Sequence, residues 1–292
     1  VPVLYFAINS IENKHRRKKN DHTINSERDT MNPAIYNTLI YTVSEGIAEI
    51  RLNRPPLNLI DKDSTLEYHH ALRHADADPL VKVIILCGNG KGLSAGVDLK
   101  FLESFNTVDM EQFLRLFYVE TVTIVRGLSK PIIAAVHGYA REGACTLAFL
   151  CDMVIASDEA DFAYPGVPNL AGPPGMHVWF LQKLIGRMKA AELILTGAAI
   201  TAIDAERLGM ITRCVPHKSL EEDTRALALS LAQMSPLALQ RTRRLMYEME
   251  NMPFDEVPEV ALKALSATFD SEDSKEARKA FLEKRQPQWS GS

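Results

Sequence analysis

Three short apolar runs constrain the fold more than anything else in the chain: residues 81–86, 132–136 and 153–156. They are rich in Val and Ile and lack the polar alternation of a half-exposed strand, so each requires cover on both faces. Before and between them lie stretches of helical spacing, residues 64–75, 110–128 and the short apolar 143–150, and a further strand begins at Phe162 and Ala163. Strands buried on both sides and linked by helices pair in parallel through helical crossovers, which makes the chain α/β.

Upstream, residues 38–43 and 47–52 flank Ser44-Glu45-Gly46, the pattern of a β-hairpin. Arg54-Pro55-Pro56-Leu57-Asn58 must be a loop, because proline fixes φ and removes a donor. From Met176 onward nearly everything reads as helix: residues 190–195, 202–208, 220–234, 236–249, 254–269 and 275–284. A strand-rich body with a helical tail suggests a tail that packs on a neighbouring subunit. The expected organisation is an extension over 1–30, a core over 31–228 and a helical oligomerisation region over 229–292.

The extension is polar and mixed in charge around Lys14, Arg16, Arg17, Lys18 and Lys19, without periodicity. Met31 reads as a natural start, and a targeting peptide is the weaker reading because acidic residues interrupt the basic run. A formal net charge of -4 over 292 residues gives no global attraction to nucleic acid or an anionic membrane. No apolar run reaches the roughly 20 residues of a membrane span. Cys87, Cys145, Cys151 and Cys214 lie in apolar stretches without zinc or redox spacing, and read as buried thiols of a soluble, cytoplasmic protein.

Two glycine-containing segments carry the chemistry. Gly88-Asn89-Gly90-Lys91-Gly92 leaves the first buried strand and continues into Ser94-Ala95-Gly96-Val97-Asp98-Leu99-Lys100. Small residues there let a backbone amide approach a ligand. His137-Gly138-Tyr139-Ala140-Arg141-Glu142-Gly143-Ala144 leaves the second and opens an apolar helix, whose first N–H groups are free to meet a developing oxyanion.

Ser94 to Lys100 resembles the A-G-x-D-[IL]-K segment of the crotonase (enoyl-CoA hydratase/isomerase) superfamily. Val136 to Ala156, with Cys151-Asp152 inside it, is similar to that family's V-x-G-x-A-x-G-G-G-x-x-L-A-x-x-C-D stretch. Further matches at Leu195-Thr196-Gly197, Ser235-Pro236-Leu237-Ala238 and Glu272 through Arg285 extend the likeness from Met31 to about Trp289. The resemblance implies a crotonase-like β/α spiral acting on an acyl-CoA. Coenzyme A would enter as part of the substrate, with no separate cofactor or metal. The amides of Val97 and Gly143 would form an oxyanion hole bordered by Ala95 and Gly96. Lys100, and Lys284 from a neighbouring subunit, would lie near the nucleotide, in a homotrimer or a dimer of trimers.

The chain departs from the family where hydratases carry two glutamates, since those positions are Thr146 and Gly166. Neither residue can serve as a carboxylate acid and base, so isomerisation, decarboxylation or hydrolysis is expected in place of two-glutamate hydration. The triple glycine has become Glu142-Gly143-Ala144, and Glu142 is either a cap or a relocated base. The loop Gly172 to Trp179 resembles that of 6-oxocamphor hydrolase and related β-diketone hydrolases, although the aspartate of that branch is replaced by Pro174. His177 is thus either a catalytic imidazole or a structural histidine bonded to a backbone carbonyl. Tyr164 and Tyr139 could place hydroxyls in the pocket or pack at strand ends. His69, His70 and His74 read as a solvated helix face rather than a metal site. A non-catalytic binding protein of the same fold is the third functional class.

Overall fold

The computed structural model describes residues Tyr36–Ser292, which form one compact unit; the expected extension over 1–30 lies outside the described residues. Ten strands make two sheets. The larger contains β1 (Leu39–Ser44), β2 (Ile47–Leu52), β3 (Val83–Gly88), β5 (Ile132–Val136), β7 (Met153–Ser157) and β10 (Arg213–Val215), in that spatial order. The smaller contains β4 (Gly92–Ser94), β6 (Tyr139–Arg141), β8 (Asp161–Ala163) and β9 (Ile200–Thr201).

β1 and β2 are antiparallel, and Glu45 and Gly46 between them both adopt positive φ, as a two-residue hairpin turn requires. From β2 to β10 every pairing in the larger sheet is parallel. All residues of β3 and β5 are buried, because helices cover one face and the helix Leu220–Ala232 packs on the other. The chain repeatedly leaves a long strand, adds a short one to the smaller sheet and returns through a helix. That β3–β4, β5–β6, β7–β8 rhythm is the expected spiral.

Two expectations needed correction. The segment after Met176 is not purely helical, since β9 and β10 lie in it; at two and three residues they are too short for a periodic signal. The helix expected over 110–128 is broken into Thr107–Leu114, a π-helical turn Arg115–Glu120 and Thr121–Gly127. Such π turns insert a residue and re-aim side chains, often at functional sites.

Asp152 of the Cys151-Asp152 pair anchors the tail to the sheet. Its carboxylate accepts from Arg243 Nε at 2.8 Å, from Tyr247 Oη at 3.0 Å and from the Ile132 amide at 2.8 Å. Arg243, 6% exposed, also donates to the carbonyls of Val125 and Leu128. Removing one partner of a buried, fully bonded pair strands the other, at about 3 to 5 kcal/mol. Arg243→Ala should therefore lower the unfolding free energy by about that amount, whereas Arg225→Ala, which loses an ion pair with Glu45 at the surface, should cost about 1 kcal/mol or less. Parallel urea titrations of the two variants check this.

Candidate active site

The first of the two amides is set by a clamp. Asn58, 2% exposed, donates through Nδ2 to the carbonyls of Asn89, Gly92 and Leu93 and accepts from the Arg54 amide, so the Pro55-Pro56 loop is fastened to the β3–β4 connection. Just beyond it the Ile60 amide donates to Gly96 O at 2.9 Å and the Asp98 amide donates to Ile60 O at 2.8 Å. Val97 is held on both sides, while its own N–H donates to no protein acceptor among the described residues.

The second is set by β6 and β8. Their register pairs Arg141 with Ala163, and the Glu142 amide extends the ladder by donating to Ala163 O at 3.1 Å. The chain then turns into the helix Gly143–Leu150, every residue of which is buried. Cys145 N–H bonds Glu142 O, and the Gly143 N–H is left without an acceptor among the described residues. This is the free first-turn donor that a helix N-terminus supplies.

The two loops touch. A Cβ on Gly96, whose φ is +99°, would fall 2.5 Å from Glu142 Cβ, and a Cβ on Gly143 would fall 2.9 Å from Phe117 Cζ and 3.2 Å from Ile60 Cδ1. Ile60 therefore contacts both halves: its backbone bridges Val97 and its side chain packs on Gly143. Glycine is required at both positions because the neighbour occupies the space of a side chain.

Around these amides stand five polar side chains. Glu142 is half-buried with φ +51° and ψ −121°, a conformation that a residue with a Cβ adopts only under strain. Its carboxylate makes no capping bond, which corrects the capping alternative, and burial pushes its pKa up to about 7. The hydroxyls of Tyr118 and Tyr164 are 2.9 Å apart, and both tyrosines lie within electrostatic range of Glu142. His177, 3% exposed, stacks on Tyr164 and Phe149 at centroid distances of 5.2 and 5.7 Å. Its ring makes no hydrogen bond among the described residues, so the carbonyl partner expected for the imidazole is absent. Desolvation lowers its pKa to about 4 and the ring is neutral at pH 7. Thr146, fully buried, has an unpartnered hydroxyl one helical turn beyond Gly143. Position 166 has little spare room, since a Cβ there would meet Gly172 O at 3.3 Å and Pro174 Cα at 3.4 Å.

Other expected residues lie apart from this cluster or play local roles. The Ala95 amide donates to Leu57 O, and Gly96 N–H donates to Ser94 Oγ. Lys100 is exposed in a short helix capped by Asp98, and Lys284 is the exposed, left-handed C-cap of the helix Glu272–Glu283. Tyr139 bonds Pro56 O. The three histidines do not form a solvated face: His69 is buried against Thr121 Oγ1, His70 bonds Tyr36 Oη and His74 stacks on Tyr41. Cys87 and Cys145 are buried, whereas Cys151 and Cys214 are only half-buried. A groove of about 460 Å³ along Met110, Leu114 and Val119 reaches the cluster at Tyr118.

Comparison with known proteins now decides the lineage. A profile of the enoyl-CoA hydratase/isomerase family matches residues 42–292. The chain belongs to that family. It is 34% identical to a carnitinyl-CoA dehydratase of Citrobacter koseri, over 87% of this chain and 98% of the relative. It is 31% identical to a crotonyl-CoA hydratase of Syntrophomonas wolfei, over 86% and 96%. Among solved structures, the enoyl-CoA hydratase of Mycobacterium tuberculosis H37Rv superposes with a TM-score of 0.78 at 30% identity, over 87% of this chain and 99% of that one. That of Bacillus anthracis gives 0.83 at 27%, over 87% and 100%. The family is a crotonase one, and the β/α spiral is its fold.

Sequence reading missed Ile60, Phe117 and Tyr118. Ile60 lies between the loop read over 54–58 and the helix read over 64–75, in residues assigned to neither, and the other two lie in a stretch read only as a continuous helix; nothing in residue spacing announces a π turn.

The state of Glu142 has a measurable consequence for stability. Its folded pKa, about 7, lies above its unfolded value near 4.5, so the folded state favours the protonated acid. That contribution is present below about pH 4.5 and is lost as pH rises through 7. Glu142→Gln should therefore match the native chain at pH 4.5 and exceed it in urea midpoint at pH 8. Glu142→Gly should add, at both pH values, the relief of the strained φ, about 1 to 3 kcal/mol. Equal midpoint differences for Glu142→Gln at the two pH values would contradict the burial of the carboxylate.

Proposed function

We propose that this chain binds an acyl-CoA thioester and stabilises its enolate. In this reading the Val97 and Gly143 N–H groups hold the thioester oxygen, and Glu142 is the single carboxylate that exchanges a proton with the substrate. The observation that carries the proposal is the pair of neighbouring, unpartnered amides, one from a clamped loop and one from a helix N-terminus. Donors fixed before charge develops need no reorganisation as it forms, which is why such a hole can supply the largest share of catalysis.

Glu142 adds a second support. A glycine position occupied by a strained, half-buried acid is costly unless the acid is used, and a pKa near 7 lets it both take and return a proton at neutral pH. Thr146 and Gly166 leave no pair of carboxylates to activate and deliver water. Chemistry after the enolate is accordingly isomerisation, decarboxylation or hydrolysis, in contrast to the hydratases among the relatives. Lys100, and Lys284 from a second subunit, would face the nucleotide of coenzyme A. Exposed Phe254, Leu265 and Phe281 on the C-terminal helices support association with a further subunit, in this reading within a homotrimer or a dimer of trimers.

The rival reading, a β-diketone hydrolase that uses His177 and needs no coenzyme A, has a neutral imidazole in its favour. It lacks an acceptor that would orient the ring, which a general base of this kind ordinarily has. A binding protein without turnover would keep the two amides but would have no use for a strained acid.

Exchange of α-protons of butyryl-CoA in D2O, followed by proton NMR, tests the reading. Val97→Pro deletes one free N–H without breaking a ladder bond and should slow exchange by about 10² to 10³, the loss typical of one oxyanion donor. Glu142→Gln should slow it by about 10² to 10⁴. In the native chain the rate should climb with pH up to about 7 and then level off, since only the ionised acid accepts a proton. Protection from thermal unfolding by a cyclic β-diketone and not by coenzyme A would favour the rival.

A further inference from the structure

Counting protons at the acyl end of the site shows an excess of donors. Tyr118, Tyr164 and Thr146 each carry one O–H. The Tyr118–Tyr164 bond uses one of the three. The Thr146 hydroxyl has no partner, and the described residues offer the second tyrosyl proton no acceptor. Thr146 is fully buried and Tyr164 is 9% exposed, while the half-buried Tyr118 borders the groove along Met110 and Leu114. Burial holds both tyrosines well above pH 7 in their neutral, donating form. A buried donor without an acceptor costs about 1 to 3 kcal/mol, an expense that an acceptor arriving with the substrate would remove.

Their placement ties these hydroxyls to the reacting end. Tyr164 directly follows Ala163, whose carbonyl takes the Glu142 amide, and so lies beside the Glu142–Gly143 turn. Tyr118 follows Phe117, whose ring lies against Gly143. Both owe their position to the π turn, and Tyr118 is fixed further by Gly175, where a Cβ would come within contact distance of its ring. Thr146 occupies the position at which the hydratases act on the carbons next to the thioester. A hydrocarbon acyl chain would leave the Thr146 hydroxyl buried and unmet and would offer nothing to the free tyrosyl proton.

We propose that the Tyr118–Tyr164 hydroxyl pair, with Thr146, recognises an oxygen on the acyl group itself, and that the substrate is a 3-oxoacyl thioester rather than a plain saturated or enoyl one. A carbonyl at the third carbon offers two lone pairs, enough to accept from a tyrosine and from Thr146 while the thioester oxygen occupies the Val97 and Gly143 amides. The proposal rests on the acyl-CoA reading above and narrows it to one substrate class. Discrimination of this kind is strong because a site built to hydrogen-bond an oxygen leaves its own groups unpaired when that oxygen is missing.

Isothermal titration calorimetry of the full chain with acetoacetyl-CoA and with butyryl-CoA provides the test. The native chain should bind acetoacetyl-CoA at least tenfold more tightly. Tyr118→Phe, Tyr164→Phe and Thr146→Val, each close in shape to the native residue, should reduce that ratio severalfold or more, whatever they do to the absolute affinities. A role in packing alone would weaken both ligands together and leave the ratio intact. An unchanged ratio in all three variants, or a native chain without preference, overturns the proposal while leaving the acyl-CoA reading standing. Failure of the native chain to bind either thioester overturns that reading as well.

Discussion

Contact between the loop at Gly96 and the turn at Glu142 is the constraint on which the site depends. The two segments are separated by a four-residue helix, the helical stretch over 107–127 and two strands, yet Gly96 and Glu142 approach so closely that a second Cβ between them is excluded. That proximity follows from the smaller sheet, where β4 lies beside β6 and β6 beside β8. It is tightened by Ile60, whose backbone holds Val97 and whose side chain covers Gly143. With this contact the two free amides become parts of one site; without it they would be two loop ends.

Glu142 shows how stability and chemistry oppose each other here. The family's glycine would fit the positive φ without strain and would bury no charge. This chain carries an acid at that point instead, desolvated enough to titrate near neutrality and unassisted by any capping bond. The paired carboxylates of a hydratase are missing from positions 146 and 166, and the hydroxyls of Thr146, Tyr118 and Tyr164 surround the space instead. Distant parts of the fold carry the compensating stability, notably the Asp152–Arg243 anchor with its further hydrogen bonds to Ile132, Val125, Leu128 and Tyr247.

Much of the architecture was legible in the chain because long buried strands and amphipathic helices write their period directly into the residues. β5 and the helix Gly143–Leu150 begin and end where the apolar pattern does, and the hairpin turn follows from Glu45-Gly46. Of the elements of two or three residues, only β8 left such a trace, at Phe162 and Ala163. β4, β6, β9 and β10 exist because a neighbouring strand supplies hydrogen bonds, not because of their own composition. The π turn was invisible for the same reason: it differs from a helix by one inserted residue, which packing around Phe117 accommodates and periodicity does not report.

The residues alone determined the α/β class, the family likeness and the loss of two catalytic glutamates, since these depend on local pattern and on which functional group stands at a matched position. They also singled out Val97, Gly143, Glu142 and His177. Only the tertiary structure decided that Glu142 does not cap its helix, that His177 meets aromatic rings and no carbonyl, and that Tyr118 joins Tyr164. The last two are contacts between different segments of the chain, and the first depends on how the Glu142 turn is held by β8. Burial, and with it the pKa of an acid or the fate of a hydroxyl proton, is set by whichever segments the fold brings together.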